Sequence, residues 1–504
     1  MPPLPHAAHA SEDQLNELAS TGISGLDHIL GGGLTRNRFY LVEGMPGAGK
    51  TTLALQFLLE GTRLGETVLY VALSESEEEL RSVAESHGWS LDGMHILEMV
   101  SPEQALDPQE QLTVFYPSEV ELSETSRTIL NEVARLKPTR VVFDSLSELR
   151  LVAGQPLQYR RQVLALKQYF AGQRCTVLVL DDTDHELQVQ SIAHAVIRLE
   201  QLYPEYGGER RRVRLVKYRG VAFRSGYHDF VIRRGGLQVF PRVVAADTRR
   251  SDAHLRMPSG VPALDALLGG GLETGTSTLI TGAAGSGKSS LSTLFVHSAL
   301  AQGRNAAMFI FDESESTLVA RARGLGIELA PYLENGRLLL QQVDPAELSP
   351  GEFAHRMAQA AQTHEAAIIV VDSLNGYLNA MPEERFLIIQ LHELLTFLGQ
   401  RGVATVLVGV QPGLIGGPVT TPVDASYLAD AVILLRYFEA TGQVHQAISV
   451  MKKRGGDHER TIREFRLQPG GIHVGEPLRE FRGVLSGQPV YDGSAVTSLE
   501  LARS

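Results

Sequence analysis

A single cysteine, Cys175, and a single tryptophan, Trp89, stand among 504 residues. One cysteine excludes an internal disulfide and a cysteine-rich metal site. It precedes the apolar run Thr176-Val177-Leu178-Val179-Leu180, so a buried strand thiol is expected. Long uncharged apolar stretches are missing too; none reaches the ~18–20 residues that a membrane span needs. The N-terminus, Met1-Pro2-Pro3-Leu4-Pro5-His6, lacks the basic start and apolar core of a secretory signal. It reads as a flexible tail ending near Leu18, and a cytoplasmic location is expected. Positive charge is also scarce: 46 Lys+Arg face 58 Asp+Glu, a net charge of −12 that argues against broad attachment to nucleic acid or anionic lipid. Only seven of those cations are lysines, at 50, 137, 167, 217, 288, 452 and 453. The apolar share of 43% is ordinary for a globular protein, and the length accommodates two to four domains.

The chain is written twice. Residues 21–34 read TGISGLDHILGGGL and residues 259–272 read SGVPALDALLGGGL, with Ile23, Leu26, Asp27 and Gly31 recurring 238 positions on as Val261, Leu264, Asp265 and Gly269. The same offset carries Lys50 onto Lys288. VVFDSL (141–146) recurs as IVVDSL (369–374), AVIRLE (195–200) as AVILLR (431–436), and LVKYRG (215–220) as VMKKRG (450–455). Collinear recurrence means a duplicated domain rather than a short-period solenoid. The polar stretch around Val243–Met257 marks the boundary, which predicts a tail over 1–18, domains over 19–246 and 247–485, and a C-terminal tail over 486–504. Within each copy, short runs apolar on both faces alternate with amphipathic stretches. Copy one has such runs at Phe39–Glu43, Thr67–Leu73, Val141–Asp144 and Thr176–Asp181. Copy two has them at Ser277–Thr281, Ala306–Phe311, Ala367–Asp372 and Ala404–Val410. This pattern predicts an α/β fold, twice, each a mostly parallel sheet covered by helices.

GMPGAGKT (44–51) and GAAGSGKS (282–289) both satisfy G-x-x-x-x-G-K-[ST] between a strand-like and a helix-like run. Such a loop turns successive N–H groups toward phosphates: Gly47, Ala48, Gly49, Lys50, Thr51 and Thr52 in copy one, and Gly285, Ser286, Gly287, Lys288, Ser289 and Ser290 in copy two. The lysine reaches the β/γ-phosphates, and the Thr51 or Ser289 hydroxyl meets Mg²⁺. Asp144 and Asp372 end the neighbouring apolar strands, where Mg²⁺ needs another oxygen. The runs 68–73 and 306–311 lead into Ser74-Glu75 and Asp312-Glu313. There, Glu75, Asp312 and Glu313 are placed to orient or deprotonate the attacking oxygen, with Asp312 also near the metal. One acid against two predicts unequal sites. Lys217/Arg219 and Lys452/Arg454 share K-x-R-G after strand-like runs; side chains two apart on a strand project together, which suits a neighbour's phosphates. Arg210, Arg211, Arg212 and Arg214 form a dense basic run without interleaved aromatics, read as a solvated or subunit-facing strand rather than a nucleic-acid patch.

These residues carry a family likeness. Tandem RecA-like P-loop domains opening with xGxxxLDxxLGGGL, with the strand-end DSL, the K-x-R-G pair and GLQVFP (236–241), resemble the KaiC circadian-clock ATPase and autokinase family over about Thr21 to Leu485. The resemblance implies a two-tiered homohexamer with ATP and Mg²⁺ between subunits and trans contacts from Lys217, Arg219, Lys452 and Arg454. It further implies an ATPase tier, a serine/threonine autokinase tier, and a KaiB-like or other signalling protein as partner. Several positions depart from the family. Ser426-Tyr427 stands where the family has a Ser-Thr acceptor pair, leaving Ser426 as the phosphoacceptor and Tyr427 to pack. Ser74 replaces the first acid of copy one. Val221, Ala222 and Phe223 replace polar nucleotide contacts, and the chain ends soon after Phe481. Signalling or stress regulation therefore fits better than timekeeping. The competing readings are a RecA-type DNA-dependent ATPase, disfavoured by the net charge, and a non-catalytic nucleotide-gated scaffold.

Overall fold

A computed structural model describes residues 18–99, 117–153, 155–182, 187–205, 207–247, 255–344, 346–379, 387–411, 427–440, 442–485 and 490–491. The chain divides into two compact units, Met1–Arg242 and Val243–Ser504. Among the described residues, no helix is long and apolar enough to cross a membrane.

The first unit is built on nine strands: β1 (Phe39–Gly44), β2 (Val68–Ala72), β3 (His95–Glu98), β4 (Arg140–Asp144), β5 (Thr176–Asp181), β6 (Ala195–Leu202), β7 (Arg210–Tyr218), β8 (His228–Arg233) and β9 (Gly236–Phe240). They lie side by side in the order β9-β8-β7-β6-β1-β5-β4-β2-β3. Strands β6 through β3 in that order run parallel, and β7, β8 and β9 extend the sheet antiparallel. Every residue of β1 is buried, as expected of a strand covered on both faces. Its alternate side chains serve two cores. Tyr40 and Val42 join Leu53 and Leu58 of helix α1 (Lys50–Arg63), whereas Phe39 and Leu41 join Val163 and Phe170 of helix α4 (Pro156–Gln173). Between these helices in the chain come α2 (Glu77–Ser86) and α3 (Pro117–Leu136).

The second unit repeats the plan with β10 (Ser277–Gly282), β11 (Asn305–Ile310), β12 (Leu338–Gln342), β13 (Ala366–Asp372), β14 (Ala404–Val410), β15 (Ala431–Ala440), β16 (Gln443–Lys453), β17 (Arg463–Gln468) and β18 (Gly471–Pro477). Its order, β18-β17-β16-β15-β10-β14-β13-β11-β12, matches the first sheet strand for strand. Helices α5 (Lys288–Ala301), α6 (Glu315–Gly324), α7 (Pro350–Gln362) and α8 (Leu387–Gln400) cover it. The repeated Leu-Asp motif has a local purpose. Asp27 accepts from the Thr21 N–H at 2.8 Å, and Asp265 accepts from the Ser259 N–H at 2.6 Å, fixing the chain that leads into each sheet.

The strand order places β1 and β10 between strands distant in sequence. Connections leave to opposite sides there, which opens a crevice at the carboxyl ends of the parallel strands. Cys175 sits immediately before β5, buried, with its thiol directed to the Pro138 carbonyl, and burial pushes it up to about 11.

One buried cation organises the underside of the first unit. Arg140 opens β4 with no exposed surface. It donates to Glu66 Oε2 at 2.6 Å and to the carbonyls of Ser20 and Phe57 at 2.6 and 2.8 Å, and it lies 4.7 Å from the centre of the Phe57 ring. Burial raises the Glu66 carboxyl, but its bonds to Arg140 and Arg36 outweigh this and hold it at about 2. Arg140→Ala should therefore destabilise the first unit by roughly 3 kcal/mol, read as an earlier urea transition, since it removes a buried cation from the Ser20 and Phe57 carbonyls and leaves Glu66 with Arg36 alone. The Glu66 contribution is fully present above its unfolded value near 4.5. It is lost as pH falls toward 2, so the wild-type midpoint should drop over that interval more than that of the Arg140→Ala variant.

Candidate nucleotide sites

Each crevice is formed where a buried strand runs out into the glycine loop and a helix begins at its lysine. The amphipathic patterns gave the helix core; its first turn comes from the loop itself. Gly49 (φ 99°) and Gly287 (φ 91°) are the residues before α1 and α5 and adopt the left-handed backbone that favours glycine. A Cβ at Gly49 would lie 2.6 Å from Ile232 Cδ1, and one at Gly287 would lie 2.8 Å from Phe465 Cε1.

In the first crevice, Lys50 Nζ donates to the Gly44 carbonyl at 2.6 Å and to Asp182 Oδ1 at 2.8 Å. The Thr51 hydroxyl donates to Asp144 Oδ2 at 3.0 Å, and the buried Tyr70 hydroxyl donates to the same oxygen at 2.6 Å. Burial raises the Asp144 carboxyl, and these two bonds pull against it. Glu75 stands beside it, half-buried, with Oε2 buried and without a hydrogen-bond partner. Burial, then the nearby charge of Asp144, pushes its carboxyl up to about 7. Ser74 is exposed, and Ser76 caps α2 in a reciprocal arrangement with Glu79.

The second crevice is a cleft of ≈ 390 Å³ lined by Gly285, Lys288, Asp312, Glu313, Arg321 and Asp372, among others. That is within the range of small-molecule sites. Lys288 Nζ donates to the Ala283 carbonyl at 2.6 Å, and burial brings it down to about 8. Burial pushes Asp372 up to about 6, opposed by its bond with Ser289, while its Oδ2 is buried without a partner. Asp312 accepts a hydrogen bond from the Ser373 hydroxyl, and Glu313 accepts from Arg321 Nη2 at 2.6 Å.

Among the described residues, no group of three or more His, Cys, Asp or Glu could hold a metal. One hydroxyl beside one carboxylate is what Mg²⁺ uses when phosphates and water complete its shell, and the orphaned Asp372 oxygen fits that use. Thr51 with Asp144, and Ser289 with Asp372 and Asp312, are the groups that would hold it.

The K-x-R pairs lie elsewhere. The strands end at Tyr218 and Lys453, one residue before each arginine, although the ladder continues through Arg219 N–H to the His194 carbonyl and Arg454 N–H to the Asp430 carbonyl. Lys217 pairs with Val196 and Lys452 with Val432, at the amino ends of β6 and β15, whereas the loops leave the carboxyl ends of β1 and β10. In copy one, burial and then the neighbouring charge of Arg219 hold Lys217 below the usual lysine value. Lys452 donates to the Ala429 carbonyl at 2.7 Å, and Arg454 meets Asp430 at 3.4 Å. His194 occupies the position of Asp430 in copy one.

Ser426 lies outside the described residues. Tyr427, expected to pack, is 52% exposed. Arg212 and Arg214 lie over the Tyr227 ring, which strand pairing rather than sequence proximity supplies. Val221 and Phe223 pack against the first-unit core. Sequence reasoning missed Asp182 and Arg321. Asp182 directly follows Asp181, the acid that ends an apolar run as Asp144 does. Arg321 had none, because its meeting with Glu313 depends on how α6 packs.

The family model described as "ATPase: KaiC" matches the chain twice, over residues 19–244 and 257–479. The circadian clock protein KaiC3 of Synechocystis sp. is 28% identical, covering 94% of this chain and 95% of its own. The circadian clock oscillator protein KaiC of Thermostichus vulcanus is 28% identical over 93% and 91%, and that of Synechococcus elongatus 28% over 95% and 93%.

Val410 occupies in copy two the place of Asp182, and the carboxylate on Lys50 competes with incoming phosphate. Asp182→Val should tighten ATP binding at the first site by up to about fivefold, the worth of a partly exposed ion pair. Nucleotide titration in a Lys288→Ala background reads this change, and unchanged affinity would show that Asp182 does not compete.

Proposed function

The chain belongs to the KaiC family of ATPases, and from that premise we propose a Mg²⁺-dependent ATPase that works as a homohexamer, with autokinase activity in the second domain. The observation that carries the hexamer is the placement of the K-x-R pairs. Val196, opposite Lys217, is level with Leu41, three residues before Gly44 where the loop starts. At ~3.3 Å per residue this puts the pair about 10 Å or more below the loop of its own sheet, at the opposite strand end. Two cations that cannot serve their own nucleotide suit the phosphates of a neighbour's.

Within each crevice, Lys50 or Lys288 and the loop N–H groups bind the phosphates, and Asp144 or Asp372 with the adjacent hydroxyl holds the cation. Mg²⁺, when bound, neutralises charge on the transferring phosphoryl group. Glu75 and Glu313 accept the proton of the attacking oxygen as that oxygen bonds to the γ-phosphorus and the bond to the β-phosphate oxygen breaks. Water as the attacking group gives hydrolysis. The Ser426 hydroxyl of a neighbour gives a phosphoserine, and Asp312 is a further carboxylate at that site. The one acid of copy one against two in copy two supports hydrolysis in the first domain and transfer in the second. Output to a signalling protein of the KaiB kind follows from the same reading, as does a cytoplasmic setting.

Intact-mass measurement and peptide mapping after incubation with Mg·ATP should place phosphate on Ser426. Glu313→Gln should remove that phosphate at least 100-fold while sparing ATP binding. ADP accumulating with no phosphopeptide would reduce the protein to an ATPase. Tight ATP-dependent retention of single-stranded DNA on nitrocellulose at low salt would replace the reading with a recombinase-like one.

A further inference from the structure

The two crevices hold their glutamates differently. Glu75 has a buried oxygen without a partner, and the residue in copy one that corresponds to Arg321, 238 positions earlier, is Val83, which packs against the first-unit core. In copy two, Arg321 rises from α6 with both guanidinium arms engaged. Nη2 donates to Glu313 Oε1 at 2.6 Å, and Nη1 donates to Ser290 Oγ at 3.1 Å. Ser290 lies in the first turn of α5, two residues after Lys288, so one side chain ties the strand-end acid to the phosphate-loop helix. The guanidinium lines the same cleft as Lys288, Asp312, Glu313 and Asp372. A planar fork holding a carboxylate at one end and a hydroxyl at the other restricts where that carboxylate can point.

We infer that Arg321 is a positioning residue for Glu313, and that it makes the second site dependent on an arginine the first site lacks. The inference rests on the reading of Glu313 as the proton acceptor. With Oε1 occupied by Arg321, Oε2 takes the proton: the O–H bond of the attacking hydroxyl breaks as its oxygen bonds to the γ-phosphorus. The β–γ bridging oxygen leaves with its electron pair on ADP. Arg321 neither gains nor loses a proton. The arrangement also explains why copy two can keep three carboxylates in one cleft: Arg321 is a second cation beside Lys288.

The test uses full-length protein carrying Glu75→Gln to silence the first site. Arg321→Met should lower kcat for ADP release, and with it the rate at which phosphate appears on Ser426, by about 10–100-fold, the usual cost of a misplaced catalytic group, with the ATP KM within about twofold of the parent. Arg321→Lys should recover part of kcat by restoring a cation to Glu313. An unchanged kcat in Arg321→Met would overturn the inference. So would a raised KM with kcat intact, which would make Arg321 a phosphate-binding group. Undiminished turnover in the Glu75→Gln, Glu313→Gln double variant would overturn the assignment of the base instead. ADP titration of each variant separates these results from failure to fold.

Discussion

Both sites depend on one backbone constraint: a buried parallel strand must turn within a few residues into a helix whose first residue is a lysine. That reversal requires left-handed backbone at Gly49 and Gly287 and leaves no room for a side chain against Ile232 or Phe465. Once it is made, the first N–H groups of the helix lack intrahelical partners and face the crevice, and the helix dipole adds positive potential there. The carboxylates that end β4 and β13 then fall beside the Thr51 and Ser289 hydroxyls, because parallel neighbours end on the same side of a sheet. The loop is the anchor, and the acids are placed by register.

Duplication has preserved this frame while the charge around it has changed. The two sheets have the same strand order, and the lysines, hydroxyls and strand-end aspartates coincide. Beside Lys50 stands Asp182, whereas the apolar Val410 takes that position in copy two. Around Glu313 stands Arg321, where Glu75 has Val83. Below the sheets, His194 replaces Asp430, so the arginine of the second K-x-R pair meets a carboxylate and that of the first does not do so at this position. Each change alters local potential without disturbing the backbone. Such changes are how a repeated fold acquires sites with different tasks.

The readable part of the fold was the part governed by short-range periodicity. Strands apolar on both faces, such as Phe39–Gly44 and Thr176–Asp181, can only be interior strands, and the loop motif names its own conformation through its glycines. Arg140 illustrates the other case. Its sequence neighbourhood, Thr139 and Val141, announces nothing unusual, yet it is fully buried between Glu66 and the carbonyls of Ser20 and Phe57, brought together from over a hundred residues of chain.

The sequence alone determined the duplication, the α/β class, both phosphate loops and the acids that end or follow apolar strands, because each is written in local spacing. Only tertiary structure decided which of those charges meet. Lys50 with Asp182, Glu313 with Arg321, and the separation of the K-x-R pairs from their own loops all follow from strand order and helix packing. Side chains more than a few residues apart become neighbours only when a sheet or helix carries them together, and a one-dimensional pattern records no such distance.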